Sequence, residues 1–130
     1  MRYLLDTQIW LWSLVSPDRM GNEVTKIVDN PDNTLVLSAA STWEISIKYR
    51  LGKLSLPEPP EEFILPRLTR DGIESLPVQH HHAAKVALLP DYHRDPFDRL
   101  LIATAQTDSM TVLTSDRQFQ PYDVKKERLH

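Results

Sequence analysis

Short apolar runs alternate with helical patterns along this chain, and that alternation constrains its fold more than any other feature. The runs lie at 2–5, 35–37, 73–76 and 111–114, and apolar residues recur at helical spacing between them. Strands that alternate with helices form a parallel sheet that helices cover on both faces. We therefore predict one α/β domain over residues 1–130, a three-layer sandwich with a central parallel sheet flanked by helices.

Cap and stop residues mark the ends of two predicted helices. Ser38 or Ser41 is suited to cap a helix that ends at Gly52, which favours the left-handed conformation of a helix stop. Asp95 is suited to cap a second helix, whose first turn begins with Pro96. These ends fix which residues lie in the first and last turns.

Three further segments have less regular patterns. The Pro-rich segment 56–66 predicts a stiff linker with a helix starting near Pro60. Residues 80–89 predict one continuous helix. The polar tail 125–130 is expected to be loosely ordered.

Composition excludes several kinds of site. The chain has no Cys, so disulfides and thiolate metal sites are excluded and any metal must be bound by oxygen or imidazole. A net charge of -3 argues against a nonspecific nucleic-acid coat protein, but bound divalent cations would reverse the local charge of a nuclease site. No export signal and no apolar run near 20 residues is visible, so we expect a soluble, cytoplasmic protein without membrane contact.

Four acidic residues are candidates for one site. Asp6 and Asp116 follow strands at the sheet edge where ligands bind, although each alone is also suited to cap the next turn. Glu44 and Asp98 lie on apolar helix faces, where an uncompensated carboxylate costs several kcal/mol. Asp98 has an alternative role, because an acid in the first turn favours the helix dipole. Taken together, the four acids predict a carboxylate pocket.

Four ionised carboxylates in one pocket need cations, and hard oxygen ligands select Mg²⁺ or Mn²⁺. Such ions activate water for in-line attack on a phosphodiester. Thr7 and Ser115 are candidates for positioning that water or a phosphate, and ordinary capping is the alternative for both. His93 is either a contact to phosphate or ribose or an exposed surface histidine. The predicted chemistry is hydrolysis with water as the nucleophile.

Four segments carry a resemblance to a known family: LLDT at 4–7, STWEI at 41–45, HRDPFDR at 93–99, and TSD at 114–116 followed by Phe119. In these segments the chain resembles the PIN-domain ribonucleases, and within them the VapC-type toxins of bacterial toxin-antitoxin pairs. The resemblance implies a PIN-like fold and an Mg²⁺- or Mn²⁺-dependent endoribonuclease. It also implies that the catalytic and metal-binding residues are Asp6, Glu44, Asp98 and Asp116.

The resemblance further implies three partners: an RNA substrate, a second copy in a homodimer, and a cognate antitoxin whose C-terminal segment lies across the toxin. Trp10 and Trp12 are two residues apart on a helix and point to different faces. We expect one to be in the core and the other to be available to the antitoxin, in a groove near the first helices.

Other functions fit the residues less well. A haloacid-dehalogenase-type phosphatase needs a second acid two residues after Asp6, where this chain has Gln8. A phosphate-receiver domain needs paired acids after its first strand, and Asp6 stands alone there. The remaining alternative is a non-catalytic PIN-fold module that binds RNA or protein.

Two groups of charged or titratable residues have open interpretations. The consecutive histidines 80–82 point about 100 degrees apart on a helix, so they cannot chelate one ion as three and are expected to form a solvated helix start. Lys48, Arg50 and Lys53 either guide RNA phosphates toward the pocket or are simply exposed.

Overall fold

The computed structural model describes residues 1–91 and 95–115, together with the backbone of a strand at Lys126–Arg128. Within these residues five parallel strands form one sheet in the order β3-β2-β1-β4-β5, with β1 in the centre. The strands are β1 Arg2–Leu5, β2 Thr34–Ser38, β3 Glu74–Leu76, β4 Thr111–Thr114 and β5 Lys126–Arg128.

Six α-helices connect or follow these strands in the described part of the chain. They are α1 Thr7–Val15, α2 Gly21–Asp29, α3 Ala39–Arg50, α4 Pro60–Arg70, α5 His80–Lys85 and α6 Pro96–Asp108. The predicted alternation of strands and helices is therefore confirmed. No helix among the described residues is both long and apolar enough to cross a membrane.

Two apolar cores lie on opposite faces of the sheet, which gives the three layers. Successive strand residues point to opposite faces, so Leu5 packs with α1 and α4 while Leu4 packs with α6. On the first face Trp10 and Ile64 are at most 1% exposed. On the second face Leu101 is fully buried. Burying each such side chain contributes about 1.5–3 kcal/mol.

The predicted caps place α3 and α6 relative to the sheet. Ser38 ends β2 and caps α3, because its Oγ accepts the N–H of Ala40 at 3.0 Å. Asp95 caps α6, whose first residue is Pro96. Gly52 follows α3 with a φ of 74°, a conformation that strains any residue with a Cβ.

Two sequence expectations differ from the structure. Residues 80–89 do not form one helix: α5 ends at Lys85 and a 3-10 turn follows at Val86–Leu88. The polar tail contributes β5, which pairs with β4 at the sheet edge. β5 is an edge strand of charged residues, and edge strands often carry such residues because they discourage pairing with other chains. Its sequence therefore lacks the apolar pattern by which an internal strand is recognised.

Candidate active site

A pocket of about 470 Å³ opens beside the carboxyl ends of β1 and β4. Loops and helix N-termini meet at this edge of a parallel sheet, as the site prediction requires. The pocket is lined by Asp6, Thr7, Gln8, Leu11, Glu44, Ile45, Lys48, Lys53, Leu54, Asp95, Asp98 and Ser115. It contains three of the four predicted acids, while the fourth, Asp116, lies outside the described residues.

Asp6 is held between the central strand and its neighbour. Its Oδ2 accepts the hydroxyl of Thr114 at 2.8 Å, and its backbone N–H donates to the carbonyl of Leu113 at 3.0 Å. Its Oδ1 also lies 3.5 Å from the N–H of Gln8, a long contact for an N-cap. Asp6 is thus both the cap of α1 and a buried pocket residue, with 7% of its surface exposed.

Glu44 is the buried acid on α3. It is 5% exposed, and Ala40 and Ile45 beside it on the helix are at most 2% exposed. Its Oε2 accepts from Lys48 at 2.7 Å, but its Oε1 is buried without a hydrogen-bond partner in the described residues. An ionised oxygen in this state costs free energy unless a cation or donor compensates it.

Lys48 neutralises part of this negative charge. Its hydrogen bond to Glu44 raises the pKa of the ammonium above the ordinary value of 10.5, and burial opposes that rise. The negative charges of Asp95 and Asp98 raise the pKa of Lys48 further, because they lie near it. A single ammonium leaves the other oxygen of Glu44 unpaired, so the donor set fits an additional hard cation.

Asp98 and Asp95 reach the pocket from the first turn of α6. Asp95 Oδ1 accepts the N–H of Phe97 at 2.8 Å and the N–H of Asp98 at 3.3 Å, so its cap fixes the turn that carries Asp98. Asp95 also lines the pocket, whereas the sequence predicted it only as a cap. The sequence does contain a signal for Asp95: it lies three residues before Asp98, and this spacing brings the two acids together on one turn of the helix.

The predicted auxiliary residues have different surroundings. Thr7 lines the pocket, but its hydroxyl donates to Ser41 Oγ at 2.8 Å and so joins α1 to α3. Ser115 is partly buried and lines the pocket after β4. His93 lies outside the described residues.

The histidines of α5 form a separate cluster with Asp108. His81, His82 and Asp108 offer ligand atoms within 4.8 Å of one another. His82 is 1% exposed, so the expectation of a wholly solvated helix start is wrong for it. Its Nδ1 accepts a hydrogen bond from the backbone N–H of Gln79 at 3.1 Å. The ring hydrogen is therefore on Nε2, which donates a hydrogen bond to Asp108 at 2.8 Å. Both nitrogens are engaged, so His82 serves as a link between α5 and α6.

Comparison with known proteins gives a family-level match over most of the chain. A model of the PIN domain family matches residues 3–125. Ribonuclease VapC16 from Mycobacterium tuberculosis is 49% identical over 63 residues, which are 48% of this chain. The same residues correspond to 45% of that relative, so the match spans less than half of its length.

Solved structures with a similar fold cover nearly the whole chain. A chain of VapBC2 from Rickettsia felis, crystallised with a DNA fragment from its promoter, has a TM-score of 0.74 at 19% identity and covers 100% of both chains. A chain of FitAcB from Neisseria gonorrhoeae has a TM-score of 0.60 at 25% identity and covers 95% of both chains. At 19% identity, the first of these likenesses concerns the fold alone.

Proposed function

Since this chain belongs to the PIN domain family, we propose that it is a metal-dependent endoribonuclease that hydrolyses RNA phosphodiesters. The observation that carries this proposal is the unpaired Oε1 of Glu44, buried in a pocket that Asp6 and Asp98 also line. A buried carboxylate oxygen without a partner is costly in a protein that has no use for it. In a metal site the same oxygen is a ligand.

The metal ion that we propose is Mg²⁺ or Mn²⁺, because the available ligands are carboxylate oxygens. The residues proposed to hold it are Asp6, Glu44, Asp98 and Asp116. When bound, such an ion lowers the pKa of a coordinated water and offsets negative charge on the phosphodiester. Hydrolysis then needs no nucleophile from the protein.

The protein's own contribution is to hold the carboxylates in place. Thr114 donates its hydroxyl to one oxygen of Asp6 and so fixes that carboxylate at the sheet edge. Lys48 fixes one oxygen of Glu44 and leaves the other buried without a hydrogen-bond partner among the described residues. Carboxylates that neighbouring hydrogen bonds hold in place bind metal more tightly than mobile carboxylates do.

We further propose that the chain is the toxin of a toxin-antitoxin pair. The support is its family and the VapC16 relative. A groove of about 360 Å³ is lined by apolar and charged residues from α1, α2 and the end of α4, among them Leu14, Val28 and Arg70. This groove is the proposed place for an antitoxin segment. The homodimer that the resemblance implies stays a prediction.

The nuclease proposal is tested by incubating the purified protein with total RNA and Mg²⁺, with and without EDTA. Asp6→Asn and Asp98→Asn are the test variants, and Asp32→Asn is the matched control because Asp32 is exposed and outside the pocket. We expect Mg²⁺-dependent fragments from wild type and Asp32→Asn. The rate of RNA cleavage should fall by at least about 100-fold in the test variants. Even the loss of a residue that only hydrogen-bonds to a metal ligand typically costs 10–100-fold in metal affinity or activity.

Asn at position 6 still offers an oxygen to Thr114, so this variant removes charge while it keeps the hydrogen bond. Fragments that persist with EDTA and in both test variants would refute a metal-dependent nuclease. RNA that is bound but never cut would favour the non-catalytic binding module instead.

A further inference from the structure

Lys48 connects the buried acid of α3 to the mouth of the pocket. Its Nζ lies 2.7 Å from Glu44 Oε2, yet its side chain is 50% exposed while that of Glu44 is 7% exposed. An ammonium has three N–H donors, and the described residues give only one of them an acceptor. Within the described residues the remaining donors have no acceptor, so a ligand that enters the pocket can accept from them.

A second lysine lies beside it because of the turn that ends α3. Gly52 adopts a φ of 74°, and the backbone N–H of Lys53 then donates to the carbonyl of Lys48 at 2.9 Å. This bond folds the chain back over the end of the helix. The exposed side chain of Lys53 consequently lines the same pocket as Lys48.

Two lysines beside several acids indicate what the pocket accepts. The acids repel a polyanion, and a protein with a net charge of -3 has no overall attraction for one. Contacts from lysine and arginine to phosphate supply a large share of the affinity of proteins for nucleic acids. Two ammonium groups at the mouth of the pocket would hold a phosphate next to the carboxylates. The protein would then need no extended basic surface to bind RNA.

We propose that Lys48 and Lys53 bind an RNA phosphate at the mouth of the carboxylate pocket, while Lys48 keeps its hydrogen bond to Glu44. This inference rests on the proposed function, because it takes RNA as the substrate. It assigns to Lys48 a double contact, with Glu44 Oε2 on one side and a phosphate oxygen on the other. Lys53 contacts the phosphate alone.

The competing explanation is that Lys48 serves only as a counter-charge for Glu44. In that case its removal changes stability and leaves RNA binding unchanged. Lys53 separates the two explanations, because no ion pair of its side chain occurs among the described residues. A loss of RNA affinity in Lys53→Met cannot arise from disturbing Glu44 through a broken salt bridge.

The test measures binding of a fluorescein-labelled, 20-nucleotide single-stranded RNA by anisotropy in EDTA, which prevents metal-dependent cleavage. Dissociation constants are determined between 25 and 150 mM KCl for wild type, Lys48→Met, Lys48→Arg, Lys53→Met and the control Lys26→Met. Lys26 is exposed on α2 and does not line the pocket. Gel analysis verifies that the RNA stays intact.

We expect the slope of log Kd against log salt concentration to fall by about 0.7 for each lysine charge that no longer neutralises the RNA backbone, which weakens binding about fivefold at 0.1 M KCl. Lys48→Met and Lys53→Met should both show this change, Lys48→Arg should retain most of the affinity, and Lys26→Met should match wild type. Equal slopes and affinities within twofold for all variants would overturn the proposal, as would wild type that does not bind the RNA.

Failure of the two proposals can be told apart. A protein that cuts RNA but whose lysine variants bind like wild type loses only the phosphate site. A protein whose lysines bind RNA but which cuts none with Mg²⁺ loses only the nuclease. If Lys48→Met does not fold, the slope of Lys53→Met decides alone.

Discussion

Replacing Glu44 with Gln should separate the cost of an unpaired carboxylate from its use as a metal ligand. In the metal-free protein the substitution removes an ion pair with Lys48 that is half exposed, which is a loss of about 0.2–1 kcal/mol. It also removes the charge from Oε1, whose burial without a partner costs about 1–3 kcal/mol. We therefore expect Glu44→Gln to be equal in stability to wild type or up to about 3 kcal/mol more stable in EDTA.

Mn²⁺ should reduce this advantage. At a free concentration 100 times its Kd, a ligand of the folded state adds about 2.7 kcal/mol to stability. A tenfold weaker site adds about 1.4 kcal/mol at the same concentration, so the two metal-induced gains should differ by at least about 1.3 kcal/mol. For a domain of this size the difference amounts to about 5 °C in Tm.

The assay is urea denaturation, followed by tryptophan fluorescence, in EDTA and in Mn²⁺. Glu62→Gln is the matched control, because Glu62 is exposed on α4 and outside the pocket. A loss of more than about 2 kcal/mol by Glu44→Gln in EDTA would mean that this carboxylate has stabilising partners, and the reasoning from its unpaired oxygen would be wrong. Equal gains from Mn²⁺ in wild type and Glu44→Gln would exclude Glu44 as a ligand.

Two further predictions concern stability away from the pocket. Trp10 is 1% exposed, so Trp10→Ala should lower the free energy of unfolding in urea by about 3–5 kcal/mol. Trp12 is partly exposed, and Trp12→Ala should cost clearly less. Similar losses in the two variants would contradict this packing. The hydrogen bonds of Arg70 lower the pKa of Asp71 below its ordinary value of 3.8, although burial opposes them. The stability from this carboxylate is therefore present above pH 3.8 and lost as the pH falls through the lowered pKa, and the difference in unfolding free energy between wild type and Asp71→Asn should shrink from pH 6 to pH 3. A difference that is constant or grows on acidification would show that the ion pair adds nothing.

The buried position of Glu44 was predictable from helix periodicity, although not every residue in the pattern behaves as expected. Ala40 lies one turn earlier and is 2% exposed, as the spacing indicates. Leu51 lies seven residues after Glu44, a spacing that would place it on the same face of a longer helix, but it is 62% exposed because α3 ends at Arg50. Periodicity identifies a face of a helix only as far as the helix continues.

Contacts between distant segments were less accessible to sequence reasoning. The burial of His82 depends on Asp108, which lies 26 residues later on another helix. The pairing of β5 depends on backbone hydrogen bonds to β4, and backbone groups are the same in every sequence. By contrast, the pair of Glu44 and Lys48 follows the ordinary i, i+4 spacing and was open to prediction.

The bond from Thr114 to Asp6 spans 108 positions of the chain, and this separation bears on when the pocket can exist during biosynthesis. The central strand β1 is made first, but one of its two neighbours, β4, is made more than 100 residues later. At 5–20 residues per second the ribosome needs about 5–20 s to close that gap. A growing chain therefore carries Asp6 and Glu44 for many seconds before its carboxylates are assembled into one site.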